Sequence, residues 1–215
     1  LYTAPFAGFS ITTDFKDNTK YIMYFGTCAP YLTKDFYLNG TDAQKASYLK
    51  YLKTICGIAG ENITDGELEN FYNMEKTLAE KELNPEENSN IDKIYNVYTF
   101  DEIQSLFPDM DLSKILEITG LKKEDKILIT DEELTKEFSK LYTDENLEML
   151  KTSAKLSILL GYGGALNTEF IDAANTFNQE YLGISGTYTD EERAVMKVAS
   201  VMPDYIGEIY AENYF

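Results

Sequence analysis

Five times in this sequence a threonine stands three residues ahead of a glutamate or glutamine, at the head of a stretch with helical periodicity. The pairs are Thr41/Gln44, Thr64/Glu67, Thr99/Glu102, Thr130/Glu133 and Thr189/Glu192. In such a capping box the hydroxyl accepts from one orphan amide of the first turn while the longer side chain reaches back to another, so each pair marks a helix start. The positions that follow keep to one face: Leu49, Leu52 and Cys56; Leu68, Phe71, Tyr72, Glu75 and Leu78; Leu134, Phe138 and Leu141. A chain with five such starts is expected to be mainly α.

Other signals place the remaining elements. Phe9–Thr13 and Tyr21–Phe25 are β-branched and aromatic runs around the turn formers Asp14, Lys16, Asp17 and Asn18, which predicts a β-hairpin over about 8–26. Helices are expected from about 41 to 215. Gly57 and Gly120 suit left-handed C′ positions, Pro108 ends the segment from Phe100, and Asp111 suits the N-cap of the next helix. Asp144–Leu160 and Thr168–Leu182 are two further helices, and Pro203 should split the last segment, 190–215, near Met202. Glu82–Lys93 is acidic and polar and reads as a surface loop. The expected architecture is about eight helices with a small N-terminal hairpin, one helical domain or domain fragment over 1–215. Leu1-Tyr2-Thr3-Ala4-Pro5, with no initiator Met, reads as the interior of a longer chain.

Composition excludes much chemistry. There are 37 acidic against 19 basic residues, a net charge of −18, and no basic stripe to neutralise phosphates or anionic lipid. Nucleic acid is therefore not an expected partner. No stretch approaches the roughly 18 consecutive apolar residues of a membrane span. Histidine is absent, which removes Ser-His and Cys-His nucleophile pairs and any HExxH zinc site. Cys28 and Cys56 are too sparse for a zinc ribbon and too far apart for a CxxC pair, and buried free thiols are favoured over a disulfide.

Sharper motifs fare poorly against bland readings. Glu61-x-x-x-Asp65 has the spacing of half a zinc site, but carboxylates are dense here and the partner HExxH does not exist. Asp109-Met110-Asp111 opens like a calcium loop yet lacks Gly at the sixth position and Glu at the twelfth. Gly161-Tyr162-Gly163-Gly164 follows a helix and lacks the Lys-Ser/Thr of a phosphate cradle, so a flexible helix–helix connection is expected. Asn39-Gly40-Thr41 and Asn62-Ile63-Thr64 match the glycosylation pattern and are also ordinary loop-to-cap sequences. The 17 Tyr and 12 Phe, without Trp, read as core and interface packing ahead of a carbohydrate platform.

Three segments in order resemble the neprilysin-like zinc endopeptidases, which include endothelin-converting enzyme and the bacterial oligopeptidase O proteins. Tyr21-Ile-Met-Tyr-Phe-Gly26 followed by Lys34, Asp35, Phe36 and Tyr37 is similar to a strand leading to that family's (R/K)-D-Y-Y element. Tyr95, Asn96, Thr99 and Glu102 fall in a stretch similar to Y-N-x-M-T-x-x-E-L. Gly207, Tyr210 and Phe215 fall in one similar to x-G-x-L-Y-V-x-x-x-F. Ala199-Ser200 stands where the family usually has Asn-Gly, and Pro203 is a further departure.

The resemblance implies a two-lobed zinc peptidase with its active site facing an internal cavity that admits peptides. Zinc ligands and general base would lie on later HExxH and ExxxD helices, so this chain would hold no catalytic or metal-binding residue and would act as a noncatalytic part of the lobe that restricts access. Its expected partners are the catalytic domain of the same polypeptide and, through the parent, peptide substrates. Zinc would belong to the parent's catalytic domain. The chain alone is expected to hold no zinc, to hydrolyse no peptide and to form at most a weak, salt-dependent homodimer. The alternative is a free-standing acidic helical module that binds a peptide or glycan through tyrosine-rich surface.

Overall fold

In a computed structural model, which describes residues 6–183 and 188–215, β1 (Ala7–Thr13) and β2 (Tyr21–Thr27) form the antiparallel hairpin expected from their runs, in register Phe9↔Phe25. The opening residues Leu1–Pro5, read above as the interior of a longer chain, lie outside the described residues. Asp14 and Asp17 shape the turn: Asp14 accepts from the Lys16 amide at 2.8 Å and Asp17 from the Thr19 hydroxyl at 2.6 Å. The hairpin is half of a larger sheet. β3 (Asn96–Tyr98) and β4 (Ile127–Ile129) complete the order β1-β2-β4-β3, with β4 parallel to β2 and antiparallel to β3. All three β4 residues are buried. A central strand covered on both faces shows no alternation, and a three-residue run offers no period to detect.

The helices follow the boxes, with additions. They are α1 (Lys34–Asn39), α2 (Asp42–Ile58), α3 (Asp65–Lys81), α4 (Pro85–Asn88), α5 (Ile91–Ile94), α6 (Phe100–Leu106), α7 (Leu112–Thr119), α8 (Glu132–Leu141), α9 (Leu147–Tyr162), α10 (Thr168–Leu182), α11 (Asp190–Val201) and α12 (Pro203–Tyr214). The described residues thus hold twelve α-helices where about eight were expected. The surplus is short. α1 is capped by Thr33 without a Glu or Gln at the third position, and α4 and α5 occupy the expected Glu82–Lys93 loop, α4 through an Asn84/Glu87 box.

Four of the five boxes form, headed by Thr41, Thr64, Thr99 and Thr189. The fifth does not. Asp131 caps α8 instead, one carboxylate oxygen accepting from Leu134 at 3.0 Å and the other from the Leu83 amide at 2.8 Å. A carboxylate also meets the positive helix end, an advantage a hydroxyl lacks, while the Thr130 hydroxyl lies 3.3 Å from that of Tyr24. Gly57 stays inside α2, which leaves through left-handed Gly60 (φ 74°), closed by a bond from the Glu61 amide to the Cys56 carbonyl. Gly120 is left-handed as expected, and Asp111 caps α7. Asp144–Asn146 is a 3-10 turn ahead of α9. Gly161 and Tyr162 continue α9 into a second such turn, Gly163–Ala165, so this connection is helical.

The chain divides into two compact units, Leu1–Phe177 and Asn178–Phe215. In the first, the apolar face of the sheet (Phe9, Met23, Phe25, Ile127, Ile129) meets Phe100, Ile103 and Phe107 of the α6 region and Leu134 and Phe138 of α8. Phe25 and Phe107 meet edge-on at 5.7 Å. In the second, Met202 breaks the helix and Pro203 opens α12, where its missing N–H costs nothing. No residue of α11 or α12 is buried.

Candidate functional site

The periodicity of α3 assigns a carboxylate to the core. Leu68, Phe71, Tyr72, Met74, Leu78 and Ala79 are buried on its inner face, and Glu75 lies among them at 3% exposure. An ionised carboxylate taken out of water is costly unless donors satisfy it. Three do. The Tyr31 amide donates to Glu75 Oε1, and the Tyr37 and Tyr48 hydroxyls both donate to Oε2, each at 2.9 Å. These donors come from the segment after β2, from α1 and from α2, so one carboxylate ties three elements to α3. Phe36 packs edge-on against Tyr37 at 5.1 Å and Tyr48 at 5.6 Å, and shields the cluster.

Among the described residues, no cation takes part. Burial pushes Glu75 up to about 7, against the opposing effect of its three donors. The neighbours respond: burial, and then the nearby carboxylate, raises the Tyr37 and Tyr48 phenols and pushes the Cys28 thiol up to about 12. Glu75 also forms part of the wall of a cleft of about 520 Å3 between Cys28–Tyr31, α3 and the α9 residues Ser153, Ser157, Ile158 and Tyr162.

The residues singled out in the sequence are distributed. Asp35 accepts from Asn39 at 2.7 Å, Lys34 reaches the Glu82 carbonyl, and Phe36 and Tyr37 enter the Glu75 cluster. The Tyr95 hydroxyl donates to Asp14 at 3.0 Å, and Lys16 lies over its ring, which fastens the hairpin turn to the start of β3. Asn96 donates to the carbonyls of Lys93 and Ile129, and Thr99 with Glu102 caps α6. Gly207, Tyr210 and Phe215 belong to the second unit, Tyr210 stacking on Tyr214 at 4.9 Å. The structure does not gather these positions into one site. Only Phe36 and Tyr37 join the buried cluster, and its centre, Glu75, is visible in the sequence as an acidic residue in an apolar stripe.

The half zinc site dissolves into surface pairs. Glu61 is bound by Lys155 and Asp65 by Lys53, both at 2.6 Å. Among the described residues, no three His, Cys, Asp or Glu side chains are grouped to hold a metal, and no helix is long and apolar enough to cross a membrane. Cys28 and Cys56 are free thiols.

The family model of the N-terminal part of peptidase family M13 matches residues 1–215. This chain belongs to peptidase family M13. Endothelin-converting enzyme 1 of Cavia porcellus is 23% identical to it over 195 residues, 86% of this chain and 26% of that enzyme. The Mus musculus enzyme is 22% identical over the same length, 25% of its own. The zinc metalloprotease Zmp1 of Mycobacterium tuberculosis has the same fold. Its inhibitor complex superimposes with a TM-score of 0.83 at 19% identity, over 97% of the M13 chain and 33% of Zmp1. In its open state the TM-score is 0.82, over 97% and 34%. The M13 chain therefore spans about a quarter to a third of the proteins it matches.

Proposed function

We propose that this chain is the noncatalytic helical part of a neprilysin-like zinc metalloendopeptidase, where it helps to enclose the cavity and limits substrates to peptides. The observation that carries the reading is a match to the family's N-terminal part across all 215 residues, in a chain whose donors suit no zinc. It has no histidine, and burial pushes its two thiols up to about 12 and 11, so neither readily yields the thiolate a zinc ion binds. Zinc, its ligands and the general base come from the catalytic domain of the same polypeptide.

Two measurements test this. The isolated chain should leave a fluorogenic peptide at background and hold no stoichiometric zinc after dialysis. Hydrolysis that survives chelators and disappears with Glu61→Gln would overturn the noncatalytic assignment. The polypeptide extended through its catalytic domain should cleave a short peptide at least a hundredfold faster than the same sequence set in a folded protein. Equal rates would overturn the gating role.

A further inference from the structure

Among the described residues Glu75 is the one charged side chain that is buried. Its hydrogen bonding is uneven. Oε2 accepts two phenols and Oε1 a single amide, so of the roughly four acceptor sites of a carboxylate one on Oε1 is left over. The cleft it helps to wall is otherwise largely apolar, with Phe71, Met74, Leu78 and Ile158 among its lining, and no Lys or Arg lines it. Lysines of the flanking helices pair with other carboxylates: Lys45 with Glu69, Lys53 with Asp65 and Lys155 with Glu61. The cleft thus has a negative point on an apolar wall and no cation of its own. Its volume of about 520 Å3 lies within the range of about 300–1,000 Å3 of small-ligand sites.

We propose that the cleft over Glu75 is a binding site for an organic cation, an ammonium or guanidinium group on an apolar stem, with the charge seated on Glu75 and the stem against Phe71, Met74 and Ile158. The guest supplies the charge that burial denies to the carboxylate, and its stem replaces water on the apolar wall. Two sources carry this chemistry, a free amine and a basic side chain of a peptide. The site stands on its own geometry and does not depend on the cavity-enclosing role. Glu75, raised to about 7, accepts the cation more readily as pH rises through neutrality. The titratable groups that feel its charge, Cys28, Tyr31, Tyr37, Tyr48 and Tyr72, are all pushed upward and stay neutral there.

The test titrates the protein with n-hexylammonium and with n-hexanol, followed by tyrosine fluorescence at pH 8 in 150 mM salt. Hexylammonium should bind at least tenfold more tightly than hexanol, and the preference should shrink at pH 6. Glu75→Gln should abolish it. The probe should also slow alkylation of Cys28 in a Cys56→Ser background, a readout local to the cleft. Ser157→Trp fills the cleft from α9 without touching Glu75, so it decides the matter should Glu75→Gln fail to fold, and it should abolish probe binding. An acetylated, amidated pentapeptide with a central lysine separates the sources. Binding alongside hexylammonium assigns the site to side chains, and binding of hexylammonium alone assigns it to free amines. Equal affinity for hexylammonium and hexanol, or a preference that survives Glu75→Gln or Ser157→Trp, would reflect only the general charge of −18 and overturn the proposal.

Discussion

Helices α3 and α12 both carry apolar residues at helical spacing, yet α3 buries seven side chains and α12 none. The tyrosines divide the same way: Tyr37 and Tyr48 are 2% and 0% exposed, whereas Tyr205, Tyr210 and Tyr214 are 64%, 55% and 75% exposed. An apolar stripe states that a face is to be covered, and says nothing of what covers it. For α3 the cover is α1, α2, α8 and α9 of its own unit. Within the second unit α12 packs with α11, and both keep apolar side chains such as Val201 and Ile209 in solvent. Such contiguous exposure commonly marks an interface.

Truncation at matched positions should separate the two regions most sharply. Phe138 is fully buried, with the rings of Phe6, Phe107 and Tyr142 about 6.1 Å from its own. Phe138→Ala should cost about 3–5 kcal/mol in urea denaturation, the usual toll of an aromatic cavity. Tyr210→Ala should stay within about 0.5 kcal/mol, as for an exposed site. A Tyr210→Ala cost comparable with that of Phe138→Ala would erase the distinction.

Next in size is the pH dependence of the α3 side. Glu75 stands at about 7 in the folded protein against an ordinary 4.5. A raised carboxyl favours the folded state while it is protonated. Its contribution is therefore complete below about pH 4.5 and is lost as pH rises to about 7. At about 1.4 kcal/mol per pKa unit, the loss is roughly 3 kcal/mol. Unfolding of Glu75→Gln, measured beside the unaltered protein from pH 4 to 8, should lack this decline. Parallel profiles would show that the tyrosine donors hold Glu75 ionised throughout.

How far such features were readable depends on their range. Four capping boxes, the Pro203 break and left-handed Gly120 are encoded within a few residues and were legible. β4 was not, because Ile127–Ile129 becomes a strand only through partners elsewhere in the chain, Met23 on one side, about a hundred residues away, and Tyr98 on the other, about thirty away. The Glu75 cluster was half legible. The stripe put an acid in the core, but its donors Tyr31, Tyr37 and Tyr48 converge only when three elements pack. Asp131 displaced Thr130 as a cap for a similar reason, since its second oxygen takes a distant amide, that of Leu83.

That substitution of caps gives a smaller effect. Asp131→Ala should cost about 1–2 kcal/mol, as it removes a helix cap and leaves the Leu83 amide unpaired, whereas Thr130→Ala should cost a few tenths. The reverse order would restore the threonine box. Thr64→Ala and Thr189→Ala then compare the units directly. Each removes one cap worth about 1 kcal/mol, but the first should lower the cooperative transition of the first unit. The second should show as faster amide exchange in α11, where no residue is buried.

The weakest effect expected is self-association through the second unit. Phe215 is 98% exposed beside the stacked pair Tyr210 and Tyr214, and this apolar end is the natural contact between copies when no other part of a polypeptide covers it. A net charge of −18 on each copy opposes the contact at long range. Salt shortens that repulsion, to a Debye length of about 10 Å at 0.1 M from about 30 Å at 0.01 M, while leaving apolar burial largely intact. Dimerisation should therefore be weak and should tighten as salt is added, the opposite of an association held by ion pairs. Sedimentation of the isolated chain at 0.01 and 0.15 M salt measures it, with Tyr214→Ser and Phe215→Ser as the variants that should abolish it. A monomer at every salt and protein concentration would leave α12 without a partner of its own kind and would remove self-association as the explanation of its exposed apolar face.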